Sequence, residues 1–355
     1  MKQFDESELQ ITGEIPGMFG GPGFPLYNFP ITPKESYKSL FNNKPIWQIT
    51  GIERKTFTPK VNPDNVARAF VFDGTNTPPS GGTDMFGIEW EYVPQVGGSM
   101  VRPGKPFLND ANEWYEKVVW PDIESWDWES CAKANVDYLN NDLMNGCIFM
   151  NGWYERLISF MDFEGAVVAM IDDEQQDAVK DFFDKLSDLY IQILEKYLTY
   201  FPEIDFFIIH DDWGSQKETF FSPETAAEML VPYMKRVTDY LHSKGKPCEL
   251  HSCGQLIKQV PNFIAAGWDT WTPQPMNDTQ KIYELYGDRI IIPVIPDPFN
   301  PETASEQEQR AFAKRYAEQF CISDKPSTFN FYAAPLLTPA FREELYRQSR
   351  ICYNA

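Results

Sequence analysis

Histidine is scarce in this sequence, and basic residues are outnumbered. Three histidines occur in 355 residues, and 52 Asp and Glu stand against 31 Lys and Arg, for a formal net charge of −21. A surface this negative repels phosphate backbones and anionic lipid headgroups, which argues against nucleic acid and membranes as partners. No apolar run approaches the roughly 20 residues that span a bilayer. The opening MKQFDESELQ is polar and acidic, unlike a signal peptide. The six cysteines are scattered through a long chain and form no disulfide framework. The expectation is a cytoplasmic protein with reduced thiols. No Gly-x-Gly-x-x-Gly follows any strand-like run, which removes the main support for a dinucleotide-binding fold.

Apolar residues are plentiful: 43% of the chain, with 15% aromatic, enough for a large core and incompatible with disorder. The texture changes along the chain. Residues 1 to about 110 are rich in Gly, Pro and aromatics, as in GMFGGPGFPLYNFP, which predicts loops and short pieces. From about residue 172 the pattern is regular. Asp172 and Asp173 are expected to cap a helix carrying Phe182, Leu186, Tyr190 and Leu194 at helical spacing. IDFFIIH reads as a strand. SPETAAEMLVPYMKRVTDYLHSKG reads as a helix with Ser222 as cap, Pro223 in its first turn and Gly245 at its end. Strand-like PCELHSC, WDTW, RIIIPVI and STFNFYA then alternate with helical stretches. Apolar strands alternating with amphipathic helices predict an α/β fold with a parallel sheet covered by helices. The expected architecture is a single (β/α)8 TIM-type barrel over residues 61–355, with residues 1–60 as an irregular N-terminal extension packed on it.

In such folds chemistry gathers at the C-terminal ends of the strands. The exits here read HDDWGSQ, HSCGQ, TPQPMND, PDPFN and, through Tyr332, AAPLLTP. They are crowded with carboxylates, amides, imidazoles and a thiol. His251 and Cys253 are two apart, so on a strand they face one side, and imidazole with thiolate suits Zn²⁺. A catalytic zinc needs about three protein ligands; Glu249, in phase with this pair, and Cys321 are the candidates for the third. Asp211 and Asp212 splay to opposite sides of a strand end, so one of them is expected at the rim as a base or metal partner. Trp213, Trp271, Trp153 and Tyr154 lie near the exits and could hold a ring or a methylated cation, although ordinary packing accounts for each one alone. Gln216, Gln274, Asn277 and Tyr332 complete the candidate substrate contacts. His210 and His242 read as structural or exposed.

HDDWGSQKETFFSPETAAEMLVPYMKRV, then GKPCELHSCGQL and GWDTWTPQPMND, resembles the uroporphyrinogen decarboxylase superfamily, and within it the corrinoid-dependent methyltransferases and demethylases. The match lies in Asp-x-Trp-Gly followed by Ser-Pro-Glu and Pro-Tyr, and in His-x-Cys-Gly on the next strand. DMFGIEW, which begins at Asp84, and YERLISFMDFEG extend it into the N-terminal half. The resemblance implies a methyltransferase moving a methyl group between a small methylated substrate (methoxyarene, methylamine or methyl thiol) and a corrinoid on a partner protein. It implies zinc at His251 and Cys253, catalytic roles among Asp211, Asp212 and Asp84, and substrate contacts from Trp213, Gln216, Gln274, Asn277, Tyr332 and Trp153. Two departures stand out. KPIWQITGIERKTFTP lacks the Arg-rich signature with which decarboxylases of the family grip porphyrinogen carboxylates. YAAPLLTP carries neither the decarboxylases' late His nor the methyltransferases' late zinc-ligating Cys. Decarboxylation in tetrapyrrole synthesis and a non-catalytic small-molecule-binding barrel are the rival readings. The oligomeric state stays open, a homo-oligomer included.

Overall fold

The structure, a computed structural model, describes residues 3–17, 21, 23–95 and 97–354. The chain divides into two compact units, one made of Met1–Lys55, Asp142–Met144 and Asp269–Ala355, the other of Thr56–Asn141 and Asn145–Trp268.

The second unit is built on three parallel strands, β1 (Met144–Phe149, of which Met144 falls in the first unit), β2 (Phe206–His210) and β3 (Cys248–His251). All of their apolar residues but Ile148 are buried, as expected of strands covered on both faces. The register pairs Phe149 with Ile209, and His210 with His251. The last pairing matters most, because it sets two of the three histidines side by side at the strand exits.

Helix α1 (Trp153–Ala169) follows β1, and α2 (Gln176–Tyr200) leads to β2. The helix expected to start at Asp172 begins later, at Gln176; Asp172 and its neighbours form a turn, with the Glu174 N–H on Asp172 Oδ1 at 3.0 Å. Ser222 does cap the next helix by accepting the Thr225 N–H at 3.1 Å, with Pro223 in the first turn. The single helix expected from Ser222 to Gly245 divides at Leu230 into α3 (Pro223–Met229) and α4 (Val231–Ser243). Pro232 lacks the N–H an uninterrupted helix would need there. Gly245 then takes a positive φ of 67° beyond the C-cap. Helix α1 is kinked at Asp162 (φ 57°, ψ 174°), whose carboxylate accepts the Gly104 N–H at 2.7 Å. An antiparallel meander, Gly81–Thr83, Glu89–Val93 and Gly98–Val101, completes this part.

The first unit pairs strands Ile292–Val294 and Ser327–Phe329 in parallel. Its helices Thr279–Tyr286, Glu306–Phe320 and Pro339–Cys352 appear as expected, the middle one with a Ser305/Glu308 capping box. The N-terminal hairpin (Ile11–Ile15 with Phe24–Tyr27) belongs here too. The segment before it is tied to the last helix: Glu8 takes the Arg350 guanidinium at 2.9 Å and the Tyr346 hydroxyl at 2.6 Å. The expected α/β class with parallel strands is therefore present. Among the described residues no helix is long and apolar enough to cross a membrane.

Candidate active site at the strand exits

Side chains alternate sides along a strand and its immediate extension. With His210 registered on His251, the exits HDD and HSC run in parallel. His210 and Asp212 share one side with His251 and Cys253, while Asp211 and Ser252 take the other. Asp212 is therefore the aspartate that joins the two histidines.

Asp211 is fully buried, with its oxygens taken by the N-terminal turn of α1. Oδ1 accepts the Glu155 N–H at 2.9 Å, and Oδ2 accepts the Tyr154 N–H at 3.3 Å and the Trp213 indole N–H at 2.9 Å. It supplies the cap that Gly152, the helix's own N-cap, cannot give. Gly152 must be glycine, since a Cβ there would lie 2.4 Å from that of Asp211. Burial, then the nearby Glu155 charge, pushes the Asp211 carboxyl up to about 7.

Asp212 belongs to a half-buried cluster. Its Oδ1 accepts the Cys253 N–H at 2.7 Å. Burial opposes its charge, but His210, His251 and the Cys253 donors outweigh burial and hold its pKa below the ordinary carboxylate value. The His210 and His251 rings stack at 4.6 Å, inclined by 19°. Burial also opposes charge on His210, yet Glu155 and Asp212 together hold its pKa above the usual value. Cys253 Sγ lies 3.4 Å from His251 Nε2, and burial, then Asp212, pushes its thiol well up.

The donor set fits a zinc ion. One ligand atom each from His210, Asp212 and His251 lies within 4.8 Å of the others. Sulfur and nitrogen ligands of one tetrahedral Zn²⁺ stand roughly 3.6 Å apart, close to the 3.4 Å between Cys253 Sγ and His251 Nε2. Two imidazoles, a thiol and a carboxylate form the mixed N, S and O set that zinc takes and Mg²⁺ or Ca²⁺ does not. A cation here would also reverse the upward push on the thiol. The expected third ligands are placed differently. Glu249 is buried on β3 outside this set. Cys321 belongs to the other unit, where its thiol donates to Gln48 Oε1 at 3.1 Å. Asp212 and His210 lie beside His251 instead. His210, read from the sequence as structural or exposed, is thus a member of the candidate cluster. The usable signal was the identical H-x-polar ending of two adjacent parallel strands.

The remaining candidates are placed as follows. Trp153 and Trp213 are fully buried, not open rings at a rim: the Trp153 indole donates to Ser187 Oγ at 2.9 Å, and that of Trp213 to Asp211. Trp271 and Tyr154 are buried as well. Asp84 is buried, and its oxygens are committed to protein donors. Oδ1 accepts the Phe86 and Ile88 N–H groups, each at 2.9 Å, and Oδ2 accepts the Trp90 indole at 3.0 Å and Arg156 Nη1 at 2.7 Å. Arg156 also binds Asp64, closing a fully buried carboxylate–guanidinium–carboxylate knot. Gln216 is exposed on the loop after β2. That loop packs against the one after β3 where Gly254, at φ 106°, meets Gly214 too closely for any Cβ. Gln274, Asn277 and Tyr332 lie in the first unit. There the Asn277 N–H donates to the Gln274 carbonyl at 2.9 Å, and the Tyr332 N–H to Asn330 Oδ1 at 3.0 Å.

Residues 157–293 match the family model described as uroporphyrinogen decarboxylase (URO-D). No curated protein sequence matches the chain. Among solved structures, a methyltransferase from Methanosarcina mazei is similar in fold, with TM-score 0.56 at 14% identity, over 92% of this chain and 100% of that one. A 2,3-dimethylmalate lyase of the PEP mutase/isocitrate lyase superfamily reaches TM-score 0.32 at 10% identity over 88% and 86% of the two chains, too distant to carry an argument.

Proposed function

We propose that the chain is a methyltransferase of the uroporphyrinogen decarboxylase superfamily, whose family model matches residues 157–293. It moves a methyl group between a small methylated substrate and a corrinoid carried by a partner protein. The closed (β/α)8 barrel with residues 1–60 as its extension is the architecture that goes with this reading. The observation that carries the proposal is the half-buried cluster at the exits of β2 and β3, in which His251, Cys253, Asp212 and His210 would hold Zn²⁺. Zinc bound there supplies a Lewis acid that stabilises the heteroatom left behind when a methyl group departs. Asp212 fixes the Cys253 main chain, and Asp211 fixes the start of α1.

The cations near the cluster favour methyl transfer over decarboxylation of a polycarboxylate. Arg68 is engaged by Glu155 and Asn151, and Arg156 by Asp64 and Asp84. Neither is available to grip a row of substrate carboxylates. The test is incubation with reduced corrinoid protein and a panel of methoxyarenes, methylamines and methyl thiols. Methylcobamide formed from at least one donor is expected. No methyl transfer in either direction, or turnover of uroporphyrinogen, would overturn the proposal.

A further inference from the structure

His210, one member of the cluster, has a carboxylate partner outside it. Glu155 Oε2 lies 2.5 Å from His210 Nδ1. Glu155 stands in the first turn of α1, and its own N–H is fixed by Asp211. Its second oxygen, Oε1, faces Arg68 Nη1 at 3.4 Å and Nη2 at 3.5 Å. Arg68 is held in turn by Asn151 Oδ1 at 3.3 Å and lies over the Trp90 ring at 5.0 Å. Asn151 donates to Asp64 Oδ2 at 3.0 Å, and Asp64 binds Arg156, the residue after Glu155. The carboxylate is therefore fixed through its main chain and at both oxygens, by a ring of contacts that starts and ends on α1. Such a device exceeds what a surface ion pair needs, and Glu155, Arg68 and His210 are only 11%, 15% and 15% exposed.

A histidine that binds metal through one nitrogen commonly hands its other N–H to a carboxylate, which fixes the tautomer and the ring orientation. With Nδ1 of His210 engaged by Glu155, Nε2 is the nitrogen left for a metal. We propose that Glu155 is a positioning residue: it holds His210 as the Nδ1–H tautomer and so directs Nε2 to the ion shared with Asp212, His251 and Cys253, while Arg68 keeps Glu155 in place. This rests on the reading of the cluster as a zinc site. The first turn of α1 keeps Asp211 as its anchor when the Glu155 side chain is changed, so a Glu155 variant retains its helix.

The test uses full-length wild type with Glu155→Gln, Arg68→Met and His251→Ala, and Zn²⁺ itself as probe, competed against a chromophoric chelator. Glu155→Gln is expected to weaken Zn²⁺ binding roughly 10- to 100-fold and to shift the visible bands of the Co²⁺-substituted protein. Arg68→Met is expected to weaken binding in the same direction by less, and His251→Ala to abolish it. In cadmium-loaded wild type with isotopically labelled histidine, NMR coupling to the metal is expected at Nε2 of His210. Tight Zn²⁺ binding lost in His251→Ala but unchanged in Glu155→Gln, with an unchanged Co²⁺ spectrum, would overturn the role of Glu155 alone. So would coupling at Nδ1, or none at His210, whether or not the variants fold. No Zn²⁺ binding by wild type would remove the zinc reading and this inference together.

Discussion

Two polar clusters lie within one unit of the chain, and they differ in one respect. In the knot of Asp64, Arg156 and Asp84, every member is fully buried and the carboxylate oxygens are taken by protein donors. In the cluster of His210, Asp212, His251 and Cys253, each residue is half-buried; ligand atoms of the first three lie within 4.8 Å of one another, and Cys253 Sγ lies 3.4 Å from His251 Nε2. Burial of charge is common to both. What separates the two is access: the knot is sealed from solvent, whereas each member of the cluster keeps part of its surface exposed.

Breaking the knot should have the largest effect on stability. Arg156→Met strands two buried carboxylates, and removing one partner from a buried ion pair costs about 3–5 kcal/mol. Denaturant unfolding is expected to show a loss of that size, and a loss under about 1 kcal/mol would mean that the knot is not a scaffold. Asp211→Ala comes next. It uncaps α1 and leaves the Trp213 indole N–H buried without an acceptor, for about 2 kcal/mol by the same measurement. Trp213→Phe loses the indole N–H and leaves the space of its second ring unfilled, for about 1–2 kcal/mol, with KM unchanged. A large rise in KM with stability intact would instead put this side chain against substrate. Smallest in stability terms are His251→Ala and Cys253→Ser. In the metal-free protein each should lie within about 1 kcal/mol of wild type, because neither residue is fully buried.

Much of the scaffold was legible in the sequence. Strand–helix alternation, the Ser222–Pro223 helix start and the His251-x-Cys253 face follow from periodicity and local hydrogen bonding, which act over a few residues. The rest depends on partners distant in sequence. Neither Asp211 nor Asp212 stands out until the register of β2 against β3 is known, because that register alone sets which one faces the cluster. Glu155 lies 55 residues from His210 and announces itself only as an acid in a helix's first turn. The tryptophans misled for a different reason. Their size favours burial, and Ser187 and Asp211 satisfy their N–H groups inside the protein.

The most direct measurement is metal content by elemental analysis of wild type, His251→Ala, Cys253→Ser and Arg156→Lys, each prepared without chelator. About one zinc per chain is expected in wild type and in Arg156→Lys, and almost none in the two cluster variants. Zinc absent from folded wild type, or retained equally by the cluster variants, would contradict the assignment of the half-buried cluster as the functional metal site.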